Sequence, residues 1–158
     1  MELIHYGSSQ FDRSAFAGVV DAHCIKPAGG LWASPVDAEF GWKQWCESED
    51  FNLLNLDRSF TFSISGNIFT IDNVEDMNQL PWIEAGPLRC ISFECLMAAG
   101  IDAVHLTWAG QVATRLSHPR NLYGWDCESV LVMNPDIISL HGCDYSLSPS
   151  IAGAEMRS

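Results

Sequence analysis

Positive charge is scarce in this chain of 158 residues: eight Lys and Arg stand against 20 Asp and Glu, a formal net charge of −12. A field of that sign repels polyanions and disfavours sequence-independent gripping of nucleic acid through its phosphates, while leaving room for a local basic pocket or recognition through bases. No C-x-x-C pair occurs among the six cysteines, Cys24, Cys46, Cys90, Cys95, Cys127 and Cys143, and their spacings form no compact disulfide framework. No stretch approaches the ~18 consecutive apolar residues of a membrane span. Residues 1–10 have the pattern of a polar-tipped strand, not of a charged segment followed by a long apolar run, so no signal peptide is expected. Together these absences predict reduced, mostly buried thiols in a cytoplasmic protein. Zinc is the alternative, through His23-Cys24 and His141-Gly142-Cys143, but the spacing gives no recognisable tetrahedral set and no metal site is assigned. A nucleophile elbow, a P-loop and a G-x-G-x-x-G fingerprint are all missing, so any dinucleotide must be bound by something other than a Rossmann unit.

What is present is a globular composition, 47% hydrophobic and 11% aromatic with six Trp, in a length suited to one domain. That domain is expected over 1–145, with a small, polar, frayed tail over 146–158. Glu2 to Tyr6 reads as a strand, Ser9 to Val20 has room for a short helix, and Gly30 to Ser34 is a second strand closed by Pro35. Asp37 is placed to cap a helix over roughly 38–49, where Trp42 and Trp45 recur at i and i+3. Ser59–Ile64 and Asn67–Ile71 alternate around Ser65-Gly66 and predict a hairpin. A helical turn over Val74–Leu80, a helix over Ile91–Ala99 stopped by Gly100, and strands over Asp102–Thr107, Ser129–Met133 and Ile137–Leu140 complete the pattern. Strands and helices mix without a regular βαβ alternation. The predicted class is α+β, with a split, mostly antiparallel sheet and flanking helices.

Three stretches put a polar or aromatic residue at a strand or its edge: His5-Tyr6-Gly7-Ser8, Gly30-Leu31-Trp32-Ala33-Ser34, and Asp126-Cys127-Glu128-Ser129-Val130-Leu131-Val132. Their order and character resemble the ADP-ribosyltransferase superfamily, in its diphtheria-toxin and PARP-like His–Tyr–Glu branch. There an early strand ends in His-Gly, a second strand carries an aromatic after Gly, and a late strand begins with Glu. Leu122-Tyr123-Gly124-Trp125-Asp126 and Asn134-Pro135-Asp136 are similar to small bacterial and phage members. Tyr6 between His5 and Gly7, and Trp32 where the family has tyrosine, depart from the pattern.

The resemblance implies an ADP-ribosyltransferase-like sheet with NAD as co-substrate, ADP-ribose passing to a macromolecular acceptor (protein or nucleic acid), and nicotinamide released. Cleaving the nicotinamide–ribose bond puts positive charge on the sugar, which a fixed carboxylate stabilises. Glu128 is the implied carboxylate, and Asp126, two residues earlier, would face the acceptor if the strand extended that far. His5, Gly7 and Ser8 would hold ribose hydroxyls and the nicotinamide amide. Trp32 would stack on the nicotinamide ring, Ser34 would hold the strand's exit, and Trp42 or Trp45 would supply a second wall. Arg13, Arg115 and Arg120 are candidates for the pyrophosphate. Small members of the superfamily act as toxins or in conflict between bacteria and phages, which implies a neutralising antitoxin as a partner. Two alternatives stay open: an NAD glycohydrolase, and a catalytically inactive acidic interaction module. A thiol nucleophile at Cys127, with Asp126 and His118, is set aside because a cysteine on an apolar strand is usually an inert small hydrophobe.

Overall fold

In the computed structural model, which describes residues 1–21, 26–85 and 88–141, the chain forms β1 (Glu2–Tyr6), β2 (Leu31–Pro35), α1 (Trp42–Ser48), β3 (Ser59–Ile64), β4 (Ile68–Ile71), β5 (Trp82–Ala85), β6 (Leu88–Ile91), α2 (Phe93–Ala98), β7 (Ala103–Leu106), α3 (Trp108–Thr114), β8 (Ser129–Val132) and β9 (Ile138–Leu140). Seven strands make one sheet in the order β4-β7-β8-β2-β1-β3-β9, and β5 and β6 pair as a separate antiparallel ribbon. Only β4 and β7 run parallel. The coarse expectation of a mixed α+β class with a mostly antiparallel sheet therefore holds. No helix among the described residues is long and apolar enough to cross a membrane. The zinc candidates His23, Cys24 and Cys143, and the tail over 146–158, lie outside the described residues.

β8 explains its own sequence. It lies between β7 and β2, and Ser129, Val130, Leu131 and Val132 are all buried. A strand covered on both faces needs no polar alternation, so it reads as an unbroken apolar run. Val130 and Val132 join Leu3, Ala33, Phe62 and Ala103 in a core on one face of the sheet. Leu131 turns to the other face, with Ile71, Val104, Leu106, Leu122 and Trp125 under the helices.

The predicted hairpin over 59–71 does not form. β3 takes β1 and β9 as neighbours, while β4 crosses to β7. Asp102 redirects the chain: its carboxylate accepts from the Asn67 backbone N–H at 2.9 Å and from Asn134 Nδ2 at 2.8 Å, so the chain leaving Gly66 is drawn to the start of β7. These hydrogen bonds hold the Asp102 carboxyl below its ordinary value. The helix expected over 9–20 is reduced to a single 3₁₀ turn, Arg13–Ala15, which Asp12 caps by accepting from the Ser14 N–H. α1 begins at Trp42, and Asp37 does not cap it. Ser34 Oγ accepts the Trp42 N–H at 2.9 Å, and Gln44 Oε1 accepts the Gly41 N–H at 3.1 Å. Ile91 ends β6 instead of opening a helix, because Ser92 caps α2 and Asp21 accepts from the Phe93 N–H at 2.7 Å. The β5–β6 ribbon and α3 are elements that the sequence pattern did not announce.

One pairing shapes the molecule's chemistry. β1 and β2 are in register over two residue pairs only, Leu3 with Pro35 and Ile4 with Ser34. Beyond them β1 continues along β3 through His5 and Tyr6, whereas β2 continues along β8 through Ala33, Trp32 and Leu31. The sheet forks there.

Candidate functional site

His5 stands in the fork. Past the two registered pairs of β1 and β2, His5 Nδ1 approaches the Trp32 carbonyl at 2.7 Å. A carbonyl oxygen only accepts, so Nδ1 carries the proton and Nε2 is left facing Gly7, where an added Cβ would lie 3.9 Å from it. Gly7 takes φ 111, a region that side chains rarely enter, and donates its N–H to the Arg58 carbonyl at 2.8 Å.

The fork opens into a hollow of about 260 Å³ whose wall includes His5, Tyr6, Gly7, Lys26, Trp32, Ala33, Trp42, Asn52, Asn55 and Ser129. Four of the residues singled out from sequence, His5, Gly7, Trp32 and Trp42, thus meet at one place. Trp32 packs edge-on to Trp125 at 4.8 Å between ring centroids, and Lys26 Nζ stands 5.6 Å from its ring. Trp42 is stacked on Trp45 at 5.0 Å, with Phe51 edge-on to both. Of this aromatic cluster Trp42 reaches the hollow and Trp45 does not. Tyr6 has its phenol pKa raised, first by burial and then by Glu47. The lining is mostly apolar with a few converging polar groups, the usual make-up of a small-molecule site.

Ser34 and Ser8 are elsewhere. Ser34 is buried, and its hydroxyl is used twice: it donates to the Glu128 carbonyl at 3.0 Å and accepts from the Trp42 N–H. It is a joint between β2, α1 and the approach to β8, and it sets where Trp42 stands. Ser8 is half-buried and donates to the Gln10 carbonyl at 3.2 Å, away from the hollow.

The two carboxylates also part company. β8 starts at Ser129, so Asp126 and Glu128 do not share a strand face. Asp126 follows a 3₁₀ turn (Tyr123–Trp125) with φ 62 and ψ −43, and its carboxylate is 3.1 Å from Lys26 Nζ. Glu128 donates its N–H to the Phe40 carbonyl and turns its side chain to the opposite side from Ser129, where Oε1 accepts from His105 Nε2 at 3.0 Å. His105 lies across from Val130 on β7, and the pair is almost fully buried. They border a second hollow, of about 600 Å³, together with Glu2, Pro35 and Asp37. Ser129, not Glu128, is what the late strand presents to the first hollow, and none of that hollow's described lining residues is a carboxylate.

The arginines considered for a pyrophosphate are spent on other contacts. Arg13 pairs with Asp136, Arg115 lies over Tyr123 at 5.0 Å, and Arg120 lies over Trp82 at 5.3 Å. Among the described lining residues the cation on the hollow is Lys26. Its position, like those of Asn52, Asn55 and His105, was not legible as a site, because each sits in a stretch with no motif around it; Ser129 lies inside the late-strand motif, where attention fell on Glu128.

Cys127 is fully buried, and burial pushes its thiol up to about 11. At pH 7.5 the neutral thiol therefore dominates. Cys46, also buried, has its pKa raised for the same first reason. Among the described cysteines Cys95 is the exposed one. Brief maleimide treatment at pH 7.5 followed by peptide mapping is therefore expected to label Cys95 and spare Cys46, Cys90 and Cys127 until the protein is unfolded. Rapid labelling of Cys127 in the folded protein would refute the inert assignment.

Comparison of the chain with protein-family models, with curated proteins and with solved structures gives no match.

Proposed function

We propose that this chain is an ADP-ribosyltransferase-type domain that takes the nicotinamide end of NAD into the forked hollow and passes ADP-ribose to a macromolecular acceptor. The observation that carries the reading is the convergence at the fork. The early, second and late strands of the resemblance are β1, β2 and β8, which lie side by side in the order β8-β2-β1. Their divergence brings His5, Gly7 and Trp32 onto one cavity, and α1 adds Trp42. In this reading the nicotinamide ring lies between indole faces, its amide meets backbone near Gly7, and His5 Nε2 takes a ribose hydroxyl. The hollow is slightly below the ~300–1,000 Å³ usual for small-molecule sites, which suits one end of a dinucleotide and leaves adenosine outside. A split sheet of the superfamily's kind, with its cleft at the fork, belongs to the same proposal.

Transfer also needs negative charge beside the ribose. Glu128 supplies it only if its carboxylate leaves His105 and comes round to the side of Ser129. That requirement favours a second reading, an acidic module that binds NAD without turning it over. The two separate cleanly. Titration calorimetry with NAD on the wild type and on Trp32→Ala tests the pocket: measurable wild-type binding, weakened about ten-fold or more by loss of the indole, is expected. Nicotinamide release in a lysate containing acceptors tests the transfer. No NAD affinity would sink both readings, and affinity without release would leave the binding module.

A further inference from the structure

The structure points to Lys26 as the residue that makes the hollow selective for a phosphate-bearing ligand; we propose that its ammonium exchanges the Asp126 carboxylate for the ligand's phosphate. The inference deepens the NAD reading, since it names the chemical feature that the pocket demands. The other polar groups among the described lining residues are the neutral amides of Asn52 and Asn55, the hydroxyls of Tyr6 and Ser129, and a histidine whose Nδ1 is committed to the Trp32 carbonyl. Lys26 is the wall's ammonium group. It sits at the rim, its side chain 37% exposed, 3.1 Å from Asp126 and 5.6 Å from the Trp32 ring. Attraction to the indole holds the ammonium beside the hollow.

Asp126 makes the arrangement exchangeable. It is 26% exposed, and its backbone has φ 62, a region that non-glycine residues rarely adopt. In a chain with net charge −12, an approaching phosphate meets repulsion almost everywhere. A lysine pre-placed at the mouth, with its charge balanced by a carboxylate until the ligand arrives, offsets that repulsion at the one point where the anion must lie. Ammonium-to-phosphate hydrogen bonds are charge-assisted and correspondingly strong.

Calorimetric titration of ADP, NAD and nicotinamide into the wild type, Lys26→Met and Asp126→Asn tests the assignment, with thermal melts confirming that each variant folds. Lys26→Met is expected to lose about ten-fold or more in affinity for ADP and NAD while nicotinamide binding stays within about two-fold. Asp126→Asn, which removes the competing carboxylate, is expected to tighten ADP and NAD. ADP and NAD binding unchanged in Lys26→Met, an equal loss of all three ligands, or a wild type with no affinity for either phosphate ligand would each overturn the proposal. A wild type that takes ADP but rejects nicotinamide would defeat the NAD reading, and the loss of ADP binding in Lys26→Met would still establish the lysine.

Discussion

Glu128→Gln is expected to slow nicotinamide release by about 10²–10³-fold, with NAD affinity near that of the wild type. The substitution removes charge and keeps shape. Glutamine's amide oxygen can still accept from His105 Nε2, so the buried contact between β7 and the approach to β8 survives and the fold should tolerate it. Only the stabilisation of a positively charged sugar is lost. The measurement is nicotinamide release with and without lysate, beside a binding isotherm for the same variant. Release that persists at the wild-type rate would remove Glu128 from the reaction. Release that is steady without any acceptor would mean that water takes its place, as in an NAD glycohydrolase.

A different kind of loss is expected at Gly110. This glycine lies inside α3, where the helix rests on the end of β4: an added Cβ would sit 2.1 Å from the Ile71 carbonyl oxygen and 3.1 Å from Leu106 Cδ1. The first of these is backbone, so no side-chain rotation relieves the clash, and the helix must lift off the sheet. Gly110→Ala is therefore expected to reach or exceed the upper end of the ~1–3 kcal/mol usual for overpacking. For a domain of this size that corresponds to a fall in melting temperature of about 6–12 °C. Calorimetric melting checks it. An alanine variant as stable as the wild type would mean that α3 is free to shift away from Ile71.

The same glycine shows why parts of the fold escaped a reading of the chain. Thr107-Trp108-Ala109-Gly110 looks like a break, since glycine inside a helix is normally destabilising. Only the tertiary fact that Ile71 leaves no room for a side chain explains it. The hairpin over 59–71 fails for a related reason. Its alternation is real, and both segments are strands, but Asp102, 35 residues after Asn67, takes the Asn67 N–H and sends β4 to another neighbour. Local pattern names strands well and pairs them poorly. The site divides along the same line. His5, Gly7, Trp32 and Trp42 were legible because strand edges, glycines and aromatics mark a cleft by residue type alone. The direction of Glu128 was not, because a displacement of one position along a strand reverses the face, and β8 starts one residue after it. Lys26 lies next to a stretch without pattern, and its place over Trp32 is a matter of three-dimensional proximity.

The place of β8 in the sheet has a consequence for biosynthesis. Among the described strands all but β9 precede it in the chain, yet it fills the gap between β7 and β2. Until residues 129–132 emerge, both of those strands offer an unpaired edge, and the apolar faces of Leu31, Ala33 and Val104 are uncovered. Nascent chains in that interval are open to edge-to-edge association with one another. A stop codon a few positions before Ser129 should therefore yield insoluble protein, not a smaller folded domain.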